Sequence, residues 1–381
     1  MTRRGNAEGS IYHRADGRWE ARASLGCADG RRQRRAFYGR TRQEVARKLQ
    51  AAQRALADGL PLPGERRMVG DFLEVWLKDS VALKVRPRTL QRYQEIVRLH
   101  LVPALGRVRL AKLTPAHVER MMNEALAAGQ SPQSAAHHRA VLRTALNVAM
   151  RWGLVGRNVA SLASPPRVPE REVRPLSRAD ARALLEAVKG DRLKALFTVA
   201  LAVGLRQGEA LGLRWQDVDL DGAALSVQRS LQRVGGQWLF LEPKTPRSRR
   251  TVPLPAPVVA ALREHRARQL QERLRLGPAW EGETWGDLVF ADEAGGPLSG
   301  FHVRRRFYML LAMAGLPPMR YHDLRHGAAS LMAAQGVPMR TAMEMLGHSQ
   351  ISTTANIYAH VAPELTRDAA DRMEAALWGQ S

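Results

Sequence analysis

AVGLRQGEALGLRWQDVDL at residues 202–220, YHDLRHGAAS at 321–330 and MLGHSQISTTANIYAHV at 345–361 are the stretches on which the reading of this chain turns. The first carries Arg206, the second His322, Arg325 and His326, the third His348 and Tyr358. Between them, LEPKTPRSRRTVPL at 241–254 sets Lys244 ahead of a basic strand. His322 and Arg325 stand three apart, so a helix starting there points both side chains one way. Gly347 ends a helix that begins near Met339, and Ser352, Thr353 or Thr354 then caps a short helix bearing Tyr358.

Breaking a phosphodiester without a metal needs three things. A nucleophile must attack phosphorus, cations must neutralise the developing equatorial charge, and an acid must protonate the leaving oxygen. Arginine suits the second task, being planar, permanently charged and bidentate toward phosphate oxygens. It cannot serve the third, which lysine can, with a pKa that desolvation and nearby cations lower. Lysine is scarce here: 7 of the 59 basic residues, and only Lys244 follows Lys194. Singly, each residue has a plain reading. Lys244 is a surface turn residue, His322 opens a helix with Asp323 as its first-turn acid, and Tyr358 is a core or surface aromatic. The His-Asp pair also raises a metal phosphohydrolase, but the helical segment offers no matching pair of further ligands. Their combination in one order favours the phosphodiester chemistry.

The charge agrees. Lys+Arg outnumber Asp+Glu by 59 to 36, a net +23, and such an excess points to a polyanion because neutralised phosphates release counterions. Nucleic acid is favoured over an anionic lipid surface. The excess is densest in the N-terminal half: 16 basic against 7 acidic in residues 1–67, 15 against 7 in 68–170, and 28 against 22 in 171–381. A single cysteine, Cys27, excludes an internal disulfide framework and a Cys-rich zinc cluster. No window nears ~18 uninterrupted apolar residues, and MTRRGNAEGS lacks the apolar run of a secretory signal. The expected place is the bacterial cytoplasm, at the nucleoid, with no membrane partner.

Residues 8–40 alternate polar and apolar positions between Ala-Asp-Gly turns at 15–17 and 28–30, which predicts a three-stranded antiparallel sheet. Thr41 and Glu44 form a capping box opening a helix to about Leu56. This first domain spans 1–64, ending in the linker residues Gly59, Pro61, Pro63 and Gly64. Its Arg31, Arg32, Arg34 and Arg35 fit a DNA-reading sheet or a solvated hairpin. Residues 65–162 carry four stretches of helical period, a compact bundle, with Arg86, Arg88, Arg92 and Arg98 suited to phosphates on one face. Residues 163–175 (ASPPRVPEREVRP) are an extended linker. The last domain, 176–361, mixes helices with the strands ALSVQRS, WLFLEP and RTVPL, and 362–381 reads as an amphipathic tail helix. The fold class is multidomain α+β: sheet plus helix, four-helix bundle, then a mostly helical domain with a small antiparallel sheet.

GLRQGEALGLRW, HDLRH and LGHSQISTTANIYAH resemble, in order and in the ten-residue step from His348 to Tyr358, the catalytic motifs of the tyrosine recombinase (phage integrase) family. The helical segment is similar to that family's core-binding domain, and the N-terminal sheet to the arm-binding domain of its longer members. The resemblance implies that Arg206 and Arg325 clamp the scissile phosphate and that Lys244 protonates the departing 5′ oxygen. It also implies that His322 assists proton movement, His348 hydrogen-bonds a non-bridging oxygen, and Tyr358 forms a 3′-phosphotyrosyl bond. Glu209 would orient the arginines. Neither metal nor ATP is needed. The implied partners are double-stranded DNA attachment sites and further copies of the chain in a tetrameric synapse, with a DNA-bending protein and an excisionase where direction is controlled. The tail helix would dock on a neighbouring protomer or pack on its own domain. Gly327 departs from the family's usual threonine, a difference expected to touch only helix packing. Two other readings are a topoisomerase-like relaxase, with the same chemistry but no synapsis, and a catalytically silent architectural DNA-binding protein. The arm-like sheet argues against the first and the catalytic residue set against the second.

Overall fold

The computed structural model describes residues 10–28, 31–57, 67–169, 176–242 and 249–347, with Ala355, Tyr358, Met373, Glu374, Leu377 and Trp378. The chain divides into two compact units, residues 1–170 and 171–381.

The first unit holds two separate hydrophobic cores. In the smaller, β1 (Ser10–His13), β2 (Trp19–Ala28) and β3 (Arg31–Gly39) form an antiparallel sheet in that order, with a register shift between Ser24 and Cys27. Strand alternation sends Ala21, Ala23 and Phe37 to one face. There they meet Val45, Leu49 and Ala52 of helix α1 (Arg42–Ala57), which helical spacing places on a single stripe. The expected capping box forms only in part. Thr41 Oγ1 accepts from the Glu44 N–H at 3.2 Å, while the Glu44 carboxylate reaches back one residue further, to the N–H of Arg40.

The larger core belongs to a helical bundle. Helix α2 (Val69–Val75) runs on through a π-helical turn (Trp76–Val81). Helix α3 (Pro87–Ile96) passes through a second such turn (Val97–Leu101) into α4 (Val102–Leu105). Then come α5 (Pro115–Ala127), α6 (Pro132–Arg151) and the short α7 (Val159–Leu162). Thr114 and Ser131 cap α5 and α6 by accepting the N–H groups of His117 and Ser134, with proline in the next position where a missing N–H costs nothing. Phe72, Trp76, Ile96, Leu101, Leu142 and Leu146 are fully buried, each such side chain contributing about 1.5–3 kcal/mol.

The second unit is built around α9 (Lys194–Val203), whose apolar residues are buried on nearly every side. Helices α8 (Arg178–Ala187), α11 (Ala256–Leu276) and α13 (Asp323–Ala334) pack on it. The short α10 (Gln207–Leu211), α12 (Gly300–Met313) and α14 (Met339–Leu346) are further helices among the described residues. The expected single sheet is two. Strands β4 (Val218–Asp219), β5 (Ala224–Val227) and β8 (Arg250–Pro253) make one, and β6 (Ser230–Val234) with β7 (Gln237–Leu241) makes a separate hairpin. The Gly235-Gly236 turn, with both φ positive, closes β6 and β7 on each other, and β5 takes β8 as its partner instead.

Candidate active site

Helix α9 ends where Gly204 enters the left-handed region at φ +68°. A side chain would be strained there, and its Cβ would run into Leu346. The carbonyl at this helix end has no partner within the helix, and it accepts from Nη1 of Arg325 at 2.7 Å. Two residues on, Arg206 precedes α10 and is held three ways. Its N–H and Nη1 donate to Glu209 at 3.1 and 2.7 Å, and its Nη2 donates to the Gly347 carbonyl at 2.9 Å. Glu209 also accepts from Nη2 of Arg250 at 3.0 Å, while Nε of Arg250 donates to the Met345 carbonyl at 2.6 Å. Burial would raise the Glu209 carboxyl, but Arg250 and Arg206 outweigh it and hold the group below the ordinary carboxylate range. Two arginines therefore fasten the C-terminal end of α14, where exposed carbonyls and the helix dipole favour cations.

Arg325 sits in the first turn of α13 and is only 2% exposed. Burial, then Arg206, pushes its pKa down to about 9, so it remains charged at neutral pH. His322, just before that helix, has one side in solvent. Partial desolvation, then His326, Arg325 and Arg206, lower it to about 4, so its imidazole is neutral at pH 7. Asp323 accepts from the Arg320 N–H at 2.8 Å and pairs with the Arg320 guanidinium. The helix-start reading of Asp323 thus holds. The i, i+3 spacing brought His322 and Arg325 to one end of the helix but at different depths.

Tyr358 is elsewhere. Its hydroxyl donates to the Val337 carbonyl at 2.8 Å, and burial raises its pKa. Val337 lies in the turn joining α13 to α14, whereas Arg325 and Gly347 lie at the two far ends of that helical pair. The eight-residue helix α14 lies between Val337 and Gly347, a rise of roughly 12 Å at ~1.5 Å per residue. The structure brings Arg206, Glu209, Arg250, His322 and Arg325 together and leaves the phenol at the other end of the hairpin.

Lys244 and His348 lie outside the described residues, as do the side chains of Arg31, Arg32, Arg34 and Arg35, whose backbone forms β3. Arg86, Arg88, Arg92 and Arg98 are exposed along α3 and the turn after it, Arg92 lying 3.6 Å from Glu95. Arg250 was missed by sequence reasoning. Its signal was present: in the strand RTVP, the period of two puts Arg250 on the same face as the buried Val252. Among the described residues no cluster of three or more His, Cys, Asp or Glu converges as a metal site, and no helix is long and apolar enough to cross a membrane.

A carboxylate and two helix ends gather three guanidinium groups beside a neutral imidazole, an arrangement suited to an anionic group such as a phosphate. Comparison with known proteins places the chain more closely. Residues 174–364 match the phage integrase family, and residues 68–126 match the N-terminal SAM-like domain of phage integrases. A tyrosine recombinase XerC-like protein of Caldanaerobacter subterraneus subsp. tengcongensis is 31% identical over 361 residues, covering 91% of this chain and 92% of the relative. An integrase of Streptomyces ambofaciens is 33% identical, covering 90% and 89%. Among solved structures, the Tn1549 transposon integrase in complex with a circular intermediate DNA shares the fold at TM-score 0.69 and 19% identity, covering 81% of this chain and 99% of that one. The lambda integrase tetramer bound to a Holliday junction does so at TM-score 0.57 and 20% identity, covering 93% and 96%. The chain belongs to the phage integrase family and is a tyrosine recombinase, a DNA strand transferase.

Proposed function

We propose that this recombinase integrates or excises a mobile DNA element, with Tyr358 as nucleophile. The phenolic oxygen of Tyr358 attacks the scissile phosphorus, and its proton passes to His322, whose low pKa leaves it unprotonated at neutral pH. The bond to the 5′ oxygen breaks, and that oxygen takes a proton from Lys244. Arg206 and Arg325 clamp the non-bridging oxygens, aided by His348. The phosphotyrosyl ester conserves the energy of the broken diester, so attack by a 5′ hydroxyl from a second duplex reverses the step without ATP. A phosphate entering the cluster would offset the cost of burying Arg325, which is the sense in which the site is complementary to its substrate. The observation that carries this reading is the shared frame of Arg206 and Arg325: one fixed on Glu209, the other on the carbonyl two residues earlier.

The sheet of residues 1–64, with Arg31, Arg32, Arg34 and Arg35, is assigned a second DNA site, and the bundle of residues 65–162, with Arg86, Arg88 and Arg92, the core site. Four protomers would act on two duplexes, as in the lambda integrase tetramer on its junction. Catalysis then requires the phenol to leave Val337.

The test uses a supercoiled plasmid carrying the DNA that flanks the coding region, and scores a protein–DNA adduct that survives detergent. Tyr358→Phe should form no adduct while binding the plasmid as well as the unaltered protein. An equal adduct yield would remove Tyr358 from the mechanism.

A further inference from the structure

Arg250 is given no part in the chemistry above, yet it is among the most deeply set of the cluster. Its side chain and that of Glu209 are each 6% exposed. It joins partners far apart in the chain: Glu209, 41 residues earlier, and the carbonyl of Met345, 95 residues later. A Cβ on Gly347 would lie 2.8 Å from Nη1 of Arg250, so the guanidinium is packed against the residue whose carbonyl receives Arg206. Two arginines thus read carbonyls two residues apart on one helix end while sharing one carboxylate.

We infer that Arg250 is a positioning residue of the cleavage step, holding Glu209 and through it Arg206 in register with the end of α14, from which the chain enters His348. This inference rests on the proposed roles of Arg206 and Tyr358.

A purely architectural purpose is poorly served by such a group. A buried ion pair is often replaced by packed apolar side chains with no loss of stability, and β8 already buries Val252 in the core. What apolar packing cannot supply is direction. Arg206 is 38% exposed at its side chain, so if Glu209 turned, the tip of Arg206 would keep only the Gly347 carbonyl as an anchor among the described residues. Arg250 joins the Arg206 N–H on Oε2 of Glu209, a second hold on that oxygen that keeps Oε1 turned to the Arg206 guanidinium. The charged groups facing Glu209 are Arg206 from its own turn, Arg250 from β8 and Arg325 from α13. Removing Arg250 takes away the leading cation that keeps Glu209 ionised, so protonation of Glu209, and release of Arg206, would come at higher pH.

The test compares Arg250→Met and Arg250→Lys with the unaltered protein on the same plasmid. It reads the rate of adduct formation at saturating protein, the DNA affinity, and the pH dependence of that rate. Arg250→Met should slow adduct formation about 10–100-fold, the scale of a misplaced catalytic group, with affinity within about twofold and the acid limb moved to higher pH. Arg250→Lys, a point charge able to satisfy one acceptor at a time, should recover part of the rate. A purely structural Arg250 would leave the acid limb in place, and that result, or an unchanged rate, overturns the inference. If Arg250→Met does not fold, Arg250→Lys decides by the same two readings. An unaltered protein that forms no adduct, or a Tyr358→Phe variant that forms as much, rejects the underlying mechanism. An active unaltered protein with an indifferent Arg250 rejects this inference alone.

Discussion

The two ends of the α13–α14 hairpin are built on opposite plans. At the open end, Arg206, Arg250 and Arg325 are tied to a buried carboxylate and to backbone carbonyls on α9 and α14. At the closed end, among the described residues, one hydrogen bond to a backbone carbonyl holds the Tyr358 hydroxyl. The cationic half of the proposed site is part of the fold itself, and folding meets the cost of burying it. The hydroxyl of the proposed nucleophile is held there by a hydrogen bond worth about 0.5–1.5 kcal/mol, which contacts to a bound phosphate can exceed.

The sharpest way to break this contrast is to disable each end and measure both activity and stability. Arg325→Met should lower the rate of adduct formation by about 10²–10³-fold, the scale seen when one charge-stabilising donor is lost. The same change should leave the urea midpoint of unfolding unchanged or raised. The sign follows from the depressed pKa: the unfolded chain holds the Arg325 proton more tightly than the folded one, so burying that charge works against the fold. Tyr358→Phe should remove the adduct altogether yet shift stability by less than ~1.5 kcal/mol, one hydrogen bond. A Tyr358→Phe protein that fails to fold, or an Arg325→Met protein much less stable than its parent, would erase the distinction between the ends.

A smaller effect separates the ends by pH. Glu209 has a lowered carboxyl pKa, so the stability it contributes is present above 4.5, its ordinary value, and drains away as pH falls below it. Tyr358 has a raised pKa, so the folded chain keeps its proton where the unfolded chain loses it, and stability falls as pH rises through 10.0. Urea midpoints from about pH 3 to 5 should therefore respond to Glu209→Gln and not to Tyr358→Phe, with the reverse order near pH 10–11. Swapped or shared responses would show that the ends are not independent.

The smallest effect concerns Tyr321 at the arginine end. Its hydroxyl is buried beside Phe197 and Phe307 and has no hydrogen-bond partner among the described residues, and burial raises its pKa. Tyr321→Phe should be neutral or stabilising by up to about 1 kcal/mol. A clear loss of stability would mean that the hydroxyl has a partner the described residues do not include.

Much of this was legible in the residue order. The three-stranded sheet, the bundle helices with their Thr-Pro and Ser-Pro starts, and the helix stop at Gly347 all follow from local rules. Those rules act within a few residues: alternation, capping and a glycine able to take positive φ. Glu209 as the partner of Arg206 came from the family resemblance, and its place one helical turn after Arg206 agrees with it. Arg250 was not, since its partners lie 41 and 95 residues away and nothing local distinguishes it from Arg249 beyond strand parity. The split into two sheets escaped for the same reason: pairing β5 with β8 rather than β7 is a long-range choice. The position of Tyr358 was the furthest from view. Motifs record which groups react together, and the resting contact of the phenol with a backbone carbonyl leaves no mark on residue type.

Gly327, two residues after Arg325 on α13, faces the side chain of Leu176, and a Cβ added there would sit 2.9 Å from the Leu176 Cβ. A glycine on that helix and a leucine at the head of the unit are thus complementary in volume, like a notch and its tenon. Swapping in the family's usual threonine at 327 alone would wedge the helix outward, and trimming Leu176 alone would leave a void. The two positions are therefore coupled, and the effect of changing both together should differ from the sum of the two single changes.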